Sequence, residues 1–397
     1  MTPNRLSQNE FIAMIAMLFA IVAFSIDSML PALPQIAAEL SPDAPNKAQL
    51  IIISFVLGMG IGTFFAGPLS DSFGRKPIII GGTLVYALGA WAAWAAPSLE
   101  TMLMARVVQG LGAAAPRVVS LALVRDLYKG REMARVVSFA MMIFTLVPAV
   151  APMFGTVIIA AFGWRALFLC FVVFAVVAMT WMALRQAETL GPAARRPLRV
   201  GPLMDALREV LSHRVVVTAI AVQTLGYGCL FGSIASIQQI FSITFDRAAS
   251  FPFWFAMIAV LAGSASLLNA SLVVRLGMRY LISVALGCQV IASLIMASMT
   301  WAGLWPEALA FPAYIVWTTG VFFMVGLTLG NLNALALEPV GHIAGMAASV
   351  ISSIATVSGV FLAAPIGQAF DGTPVPLAFG VAVFTALGYG LMRSIPR

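Results

Sequence analysis

Two charged residues stand inside otherwise apolar sequence, and they are the groups best placed to do chemistry. Asp27 lies near the end of the apolar run 11–30, just before Pro31 and Pro34. It is the one acidic residue of 15 clearly inside such a run, whereas Glu10, Asp71, Asp126, Glu132, Glu307, Glu338 and Asp371 fall at run ends or between runs. A carboxyl group held away from water is costly, and such groups commonly mark proton or ion pathways. The competing reading of Asp27 is a helix cap close to an interface. Arg106 stands in Ala105-Arg106-Val-Val-Gln109-Gly110-Leu-Gly112, within the run 99–124. Arginine keeps its proton, so Arg106 is a fixed positive charge that can hold a substrate or tune a titrating carboxylate. Its competing role is an anchor to backbone carbonyls. Arg117 follows Pro116 nearer the end of the same run, where snorkelling to the interface is an equal explanation.

Other residues bear on shape and access. Gln109, Gln223, Tyr227, Gln238, Gln239, Asn331 and Asn333 are candidates to line a cavity, with helix–helix hydrogen bonds as the alternative. Pro148, Pro152 and Gly155 are expected to bend the run 134–161 into a hinge. Gly58, Gly60 and Gly62, and later Gly326 and Gly330, allow close helix contact. Gly67, Asp71, Gly74, Arg75 and Lys76 form a polar interruption that is expected to be a tight loop. Such a loop can lock one bundle to another through charge pairs and helix dipoles, or it can be an ordinary basic loop. Cys170, Cys229 and Cys288 lack paired spacing, and His213 and His342 have no acidic or cysteine cluster around them. Neither disulfide framework nor metal site is expected. No phosphate loop of the type G-x-x-x-x-G-K-[ST] and no H-E-x-x-H is present. The reading is therefore no enzyme, no cofactor, no ATP and no nucleic acid.

These residues must be positioned by helices in lipid. Of 397 residues 61% are hydrophobic and 9% charged, against about 25% charged in soluble domains. Too few charges remain to cover a water-exposed surface. Spanning needs about 20 mostly apolar residues, and twelve runs qualify: 11–30, 48–69, 78–96, 99–124, 134–161, 165–184, 214–240, 251–274, 279–301, 307–333, 343–369 and 375–393. The first is expected to be a retained helix rather than a cleaved signal. The prediction is an all-α membrane protein, with a six-helix bundle over 1–184, a basic linker over 185–213 and a second six-helix bundle over 214–397. Residues 203–211 of the linker are predicted to form a short amphipathic surface helix. With both termini cytoplasmic, one face carries Arg5, Arg75, Lys76, Arg125, Lys129, Arg131, Arg135, Arg185, Arg195, Arg196, Arg199, Arg208, Arg214, Arg275, Arg279, Arg393 and Arg397. The other carries only Lys47, Arg165 and Arg247. That bias sets the orientation, and it explains the net charge of +7 by contact with an anionic leaflet. A weak repeat supports two bundles: Asn269-Ala-Ser-Leu-Val-Val-Arg275-Leu-Gly277-Met-Arg279 keeps the glycine and basic residues of the Gly67 to Lys76 segment.

Gly67-Pro-Leu-Ser-Asp71-Ser-Phe-Gly74-Arg75-Lys76 resembles the signature loop between helices two and three of the major facilitator superfamily. Arg106-Val-Val-Gln109-Gly110-Leu-Gly112 is similar to the fourth-helix motif of its proton-driven exporters. Asp27-Ser-Met-Leu-Pro31-Ala-Leu-Pro34 and Pro148-Ala-Val-Ala-Pro152-Met-Phe-Gly155 resemble the twelve-helix drug:proton antiporters, in particular the Bcr/CflA-like branch. Arg125-Asp126-Leu-Tyr128 and Gly163-Trp164-Arg165 with Phe168 are similar to that branch too. The fifth-helix motif departs from the Gly-rich form of other exporters. The resemblance implies the major facilitator fold and alternating access, with small amphipathic compounds such as antibiotics exported against entering protons. The alternative is a metabolite exporter or importer on the same fold. It further implies Asp27 as the proton-responsive carboxylate, Arg106 as its electrostatic partner, and Asp71, Arg75 and Lys76 as a cytoplasmic gate. A monomer in the bacterial inner membrane is expected.

Overall fold

The structure is a computed structural model that describes residues 6–198 and 200–394. Arg5, Arg199 and Arg397, which contribute to the predicted orientation, lie outside the described residues. Among the described residues fourteen α-helices follow one another: α1 Gln8–Asp27, α2 Leu33–Leu40, α3 Leu50–Phe73, α4 Arg75–Trp94, α5 Leu99–Leu127, α6 Gly130–Phe162, α7 Ala166–Arg185, α8 Val200–Ser212, α9 Arg214–Gln239, α10 Phe251–Leu276, α11 Met278–Trp301, α12 Glu307–Leu337, α13 Ala344–Gln368 and α14 Val375–Arg393. All but α2 and α8 are long and apolar enough to span a bilayer. The helical stretch Glu307–Gln368 contains two of these spans, α12 and α13, parted by the 3-10 turn Glu338–Ile343 with a kink at Val340. Twelve spans result among the described residues, as expected from apolar length, and the architecture is all-α.

Helix is the form that satisfies backbone hydrogen bonds without water. Hydroxyl side chains follow the same logic. Ser25, Thr63, Thr83 and Thr328 each return their Oγ to the carbonyl four residues earlier, at 2.6, 2.8, 2.7 and 2.9 Å. The surfaces of the spans remain apolar: Leu88, Met104, Val157 and Phe361 are all more than 60% exposed, which suits contact with lipid.

Contacts divide the chain into two units. One holds the chain up to Ala32 together with Ser54–Asp205, and the other holds Leu33–Ile53 together with the chain from Ala206. In the first unit α5 is gripped by its neighbours through glycines. A Cβ at Gly58 of α3 would lie 2.0 Å from the Val107 carbonyl oxygen, and one at Gly110 of α5 would lie 2.0 Å from that of Phe55. Gly112 meets the Tyr86 backbone equally closely, with a Cβ–N distance of 2.2 Å. The glycines of the fourth-span motif are thus close-approach positions for α3 and α4. In the second unit Gly326 packs against Ala265, whereas a Cβ at Gly330 would meet nothing within 4 Å.

The segment expected to be a loop between the second and third runs is corrected here. Helix α3 continues to Phe73, so Gly67 and Asp71 are helical, and the turn is the single residue Gly74 at φ +105°. Helix α3 runs on through Pro68, although an interior proline gives up one backbone hydrogen bond and crowds the carbonyl four residues earlier; membrane helices tolerate this where neighbouring groups satisfy the freed carbonyl. The partner segment behaves alike: Gly277, at φ +82°, is the whole turn between α10 and α11. The weak repeat is therefore clearer in backbone than in residues.

Gly110→Ala should destabilise the purified protein by about 1–3 kcal/mol, because α3 must move to admit the methyl group. Gly81→Ala, where a Cβ would meet nothing within 4 Å, should be neutral or gain up to ~1 kcal/mol from helix propensity. Thermal melts in detergent compare the two, and equal melting temperatures would overturn this packing account.

Candidate functional site

Five helices of the first unit converge on Arg106. The side chain is fully buried. Its Nη1 donates to Gln109 Oε1 at 2.7 Å, and its Nη2 donates to the Ser25 carbonyl of α1 at 3.2 Å. The guanidinium lies 4.4 Å from the ring centroid of Phe55 on α3 and 5.9 Å from that of Phe168 on α7. Desolvated cation–π contacts of this kind contribute about 2 kcal/mol, which helps to offset removal from water. Ser25 is itself fixed: its Oγ donates to the Ile21 carbonyl at 2.6 Å and so accepts from Tyr86 of α4 at 2.5 Å. Arg106 thereby grips the backbone of α1 two residues before Asp27.

Asp27 is the last residue of α1 and is 5% exposed. Its carboxyl group makes no hydrogen bond or ion pair with any described residue, so it is not ion-paired with Arg106. Its neighbour Ser28 presses against α6, where a Cβ at Gly155 would lie 2.1 Å from the Ser28 carbonyl oxygen. Gly155, far away in sequence, thus packs on the residue that follows Asp27. Pro148 and Pro152 lie inside α6, which continues from Gly130 to Phe162 through both. Arg117 is half-buried and its Nη1 lies 3.3 Å from the Met59 Sδ.

A second constellation surrounds the Gly74 turn. The Arg75 side chain pairs with Asp71, bonds Ser70 Oγ at 2.7 Å, and reaches Asp126 of α5 at 3.1 Å. Lys76 Nζ donates to the Ala183 carbonyl of α7 at 2.6 Å. The N-terminus of α4 needs an acceptor, because Gly74 has no capping side chain and the first turn carries no acid. Glu188, just beyond α7, supplies it: Oε1 accepts from Arg75 N at 3.0 Å and Oε2 from Lys76 N at 3.1 Å. The same Oε1 also accepts from Thr189 N and Leu190 N, both at 2.9 Å. Thr189 Oγ1 donates to Asp126 Oδ2 at 2.8 Å, and Arg196 N to the Asp71 carbonyl at 3.0 Å. Glycine is required at 74 twice over, since a Cβ would also lie 2.5 Å from Glu188 Oε2.

Sequence reasoning missed Ser25, Tyr86 and Glu188. The available signal for Glu188 was the capless, basic start of α4, which predicts an acceptor from elsewhere in the chain without saying which.

The polar residues considered as cavity lining have varied surroundings. Gln109 holds Arg106. Asn331 of α12 exchanges two hydrogen bonds with Asn269 of α10, at 2.7 and 3.3 Å, and so joins helices. Gln223 is buried, with Nε2 3.5 Å from the Leu329 carbonyl. Tyr227 is half-buried and stacks on Phe231 at 5.4 Å. Asn333 Oδ1 is buried without a hydrogen-bond partner.

Glu188→Gln turns an amide NH2 toward backbone donors and should cost ~1–3 kcal/mol. A lower melting temperature of the purified variant is the expected reading, and an unchanged one would remove the cap from this account.

The chain is 31% identical over 397 aligned residues to the Bicyclomycin resistance protein homolog of Haemophilus influenzae, covering 97% of this chain and 96% of that one. It is 28% identical to the Multidrug resistance protein MdtL of Shewanella oneidensis, over 82% of this chain and 80% of that protein. These relatives accord with the resemblance of Asp27 to Pro34 and Pro148 to Gly155 to the Bcr/CflA-like branch. The fold matches that of a D-xylose-proton symporter with a TM-score of 0.75 at 13% identity, covering 97% of this chain and 98% of that one. The family model for the Major Facilitator Superfamily matches residues 14–394, and the chain belongs to that superfamily.

Proposed function

We propose that this protein is a proton-coupled exporter of small amphipathic compounds such as antibiotics. The observation that carries the reading is Asp27, a carboxyl group buried in the first span and paired with no described residue. Such a group changes its charge on taking a proton without having to break an ion pair. Arg106 fixes the helix that bears it and sets a permanent positive charge in the same bundle. Relatives named for bicyclomycin and multidrug resistance support the class of cargo. Alternating access between a bundle over 1–184 and one over 214–397, joined by the linker 185–213, moves the compound, and protons flowing inward drive it. Asp71, Arg75 and Lys76 act as the gate on the cytoplasmic face, while Pro148, Pro152 and Gly155 form the helix-five hinge. Gln109, Gln223, Tyr227, Asn331 and Asn333 supply polar contacts to the cargo. The protein acts as a monomer in the bacterial inner membrane, with both termini in the cytoplasm and without ATP.

Proteoliposomes loaded with a pH-sensitive dye test the reading. Amphipathic compounds should trigger proton movement, fastest when the side exchanging for the compound is the more acidic. Asp27→Asn should retain the fold and abolish the coupled flux, and normal proton-driven flux in a well-expressed Asp27→Asn protein would sink the assignment. Arg106→Ala should lower transport about tenfold or more, since it leaves the buried acceptors Gln109 and Ser25 unsatisfied. Arg117→Ala should leave flux within about twofold, because its contact is a weak one to sulfur. Equal losses in the two variants would remove the distinction between these arginines.

A further inference from the structure

The second unit contains a cavity unrelated to the proton-coupling residues. It has a volume of about 260 Å³ and lies between the segment that follows the first span and the end of α9. Leu33, Ala37 and Pro42 form one wall, and Gln238, Gln239 and Ile243 the other. No charged residue lines it.

Three independent features mark this place. First, Gln238 is 2% exposed, and its amide makes no hydrogen bond with a described residue; Oε1 is buried without a partner. A buried amide without partners costs about 1–3 kcal/mol, whereas the nearby Gln49 and Gln239 are hydrogen-bonded through both the oxygen and the nitrogen of their amides. Secondly, α9 leaves the α-helical path here through the π-helical turn Ile240–Thr244, a rare form that is frequent at functional positions. Thirdly, the opposite wall is held in place by a dense polar latch. Asn46 Nδ2 donates to the carbonyls of Gln368 and Phe370 at 3.1 and 2.9 Å, and Gln368 Nε2 donates to the Asn46 carbonyl at 2.9 Å. Gln239 Nε2 donates to Asn46 Oδ1 at 2.6 Å, and Ser236 Oγ to Gln49 Oε1 at 3.1 Å. The cavity is therefore braced on both sides rather than left by loose packing.

We propose that this cavity is a binding site for a small neutral amphiphile: an apolar body carrying one hydroxyl or amide that hydrogen-bonds Gln238. The apolar walls take the body, the amide of Gln238 can both donate and accept, and the absence of charged lining disfavours ions. The volume lies just under the ~300–1,000 Å³ of drug-sized pockets, which sets the size of the occupant. By the distribution of arginines the site faces the outer side of the membrane.

The probe is 4-azidobenzyl alcohol, a small neutral aromatic with one hydroxyl, photolysed with the purified full-length protein in detergent. Saturable adducts should fall in both walls, within 33–49 and 235–243. Gln238→Leu should weaken labelling about fivefold, the worth of one hydrogen bond, and Ala235→Phe should abolish it by filling the cavity. Ala38→Trp at the exposed rim replaces Ala235→Phe if that variant fails to fold. Adducts scattered along the chain, labelling that does not saturate, or labelling indifferent to all these variants would overturn the site. The readout needs no transport, so it stands or falls separately from the export role.

Discussion

Hydrocarbon neither donates nor accepts hydrogen bonds, so a chain that crosses it must satisfy its polar groups from within. The twelve spans follow from this directly, and so do smaller features. Hydroxyls return to their own helix, as Thr83 does to the Ile79 carbonyl at 2.7 Å. The harshest case is a full charge. Arg106 is tolerated because four helices supply a carbonyl, an amide oxygen and two aromatic faces around one guanidinium. The motif glycines belong to the same solution. Gly110 and Gly112 let α3 and α4 close over the arginine, so packing and electrostatics are parts of one construction.

Outside the hydrocarbon the constraint changes. Helix ends have orphan donors and acceptors that water or side chains must meet. At Gly74 the answer is a carboxylate from a distant segment, set within a cluster of Asp71, Arg75 and Asp126. At Gly277 the backbone makes the same single-residue turn, yet a Cβ there would meet nothing within 4 Å. The two halves share a way of turning the chain, and only the first has a side chain seated against its glycine.

Much of this was legible in the residues. Apolar length located every span, because lipid thickness imposes the same ~20 residues on all of them. Ends were displaced where a polar residue still belonged to a helix: α1 begins at Gln8 because Ser7 caps it, accepting from Glu10 N at 3.2 Å. Asp71 looked like loop because it is charged, but it lies in the final turns of α3. Asp27, Arg106 and Gly155 were visible as polar or small residues in apolar surroundings. Glu188 and Asn46 were not, since they sit in polar connections where no periodicity relates them to their partners, and Gln49 stood at the very start of the run 48–69 with no sign of its partners.

The Glu188 carboxylate also bears on how the protein is made. It is 113 residues away from the amide of Arg75 that it meets. During synthesis the second and third spans emerge long before the group that completes the turn between them. That turn must therefore wait, capped by water or lipid headgroups, until the sixth span has entered the membrane. A chain halted after five spans has every residue of the signature segment but not the carboxylate that caps its turn.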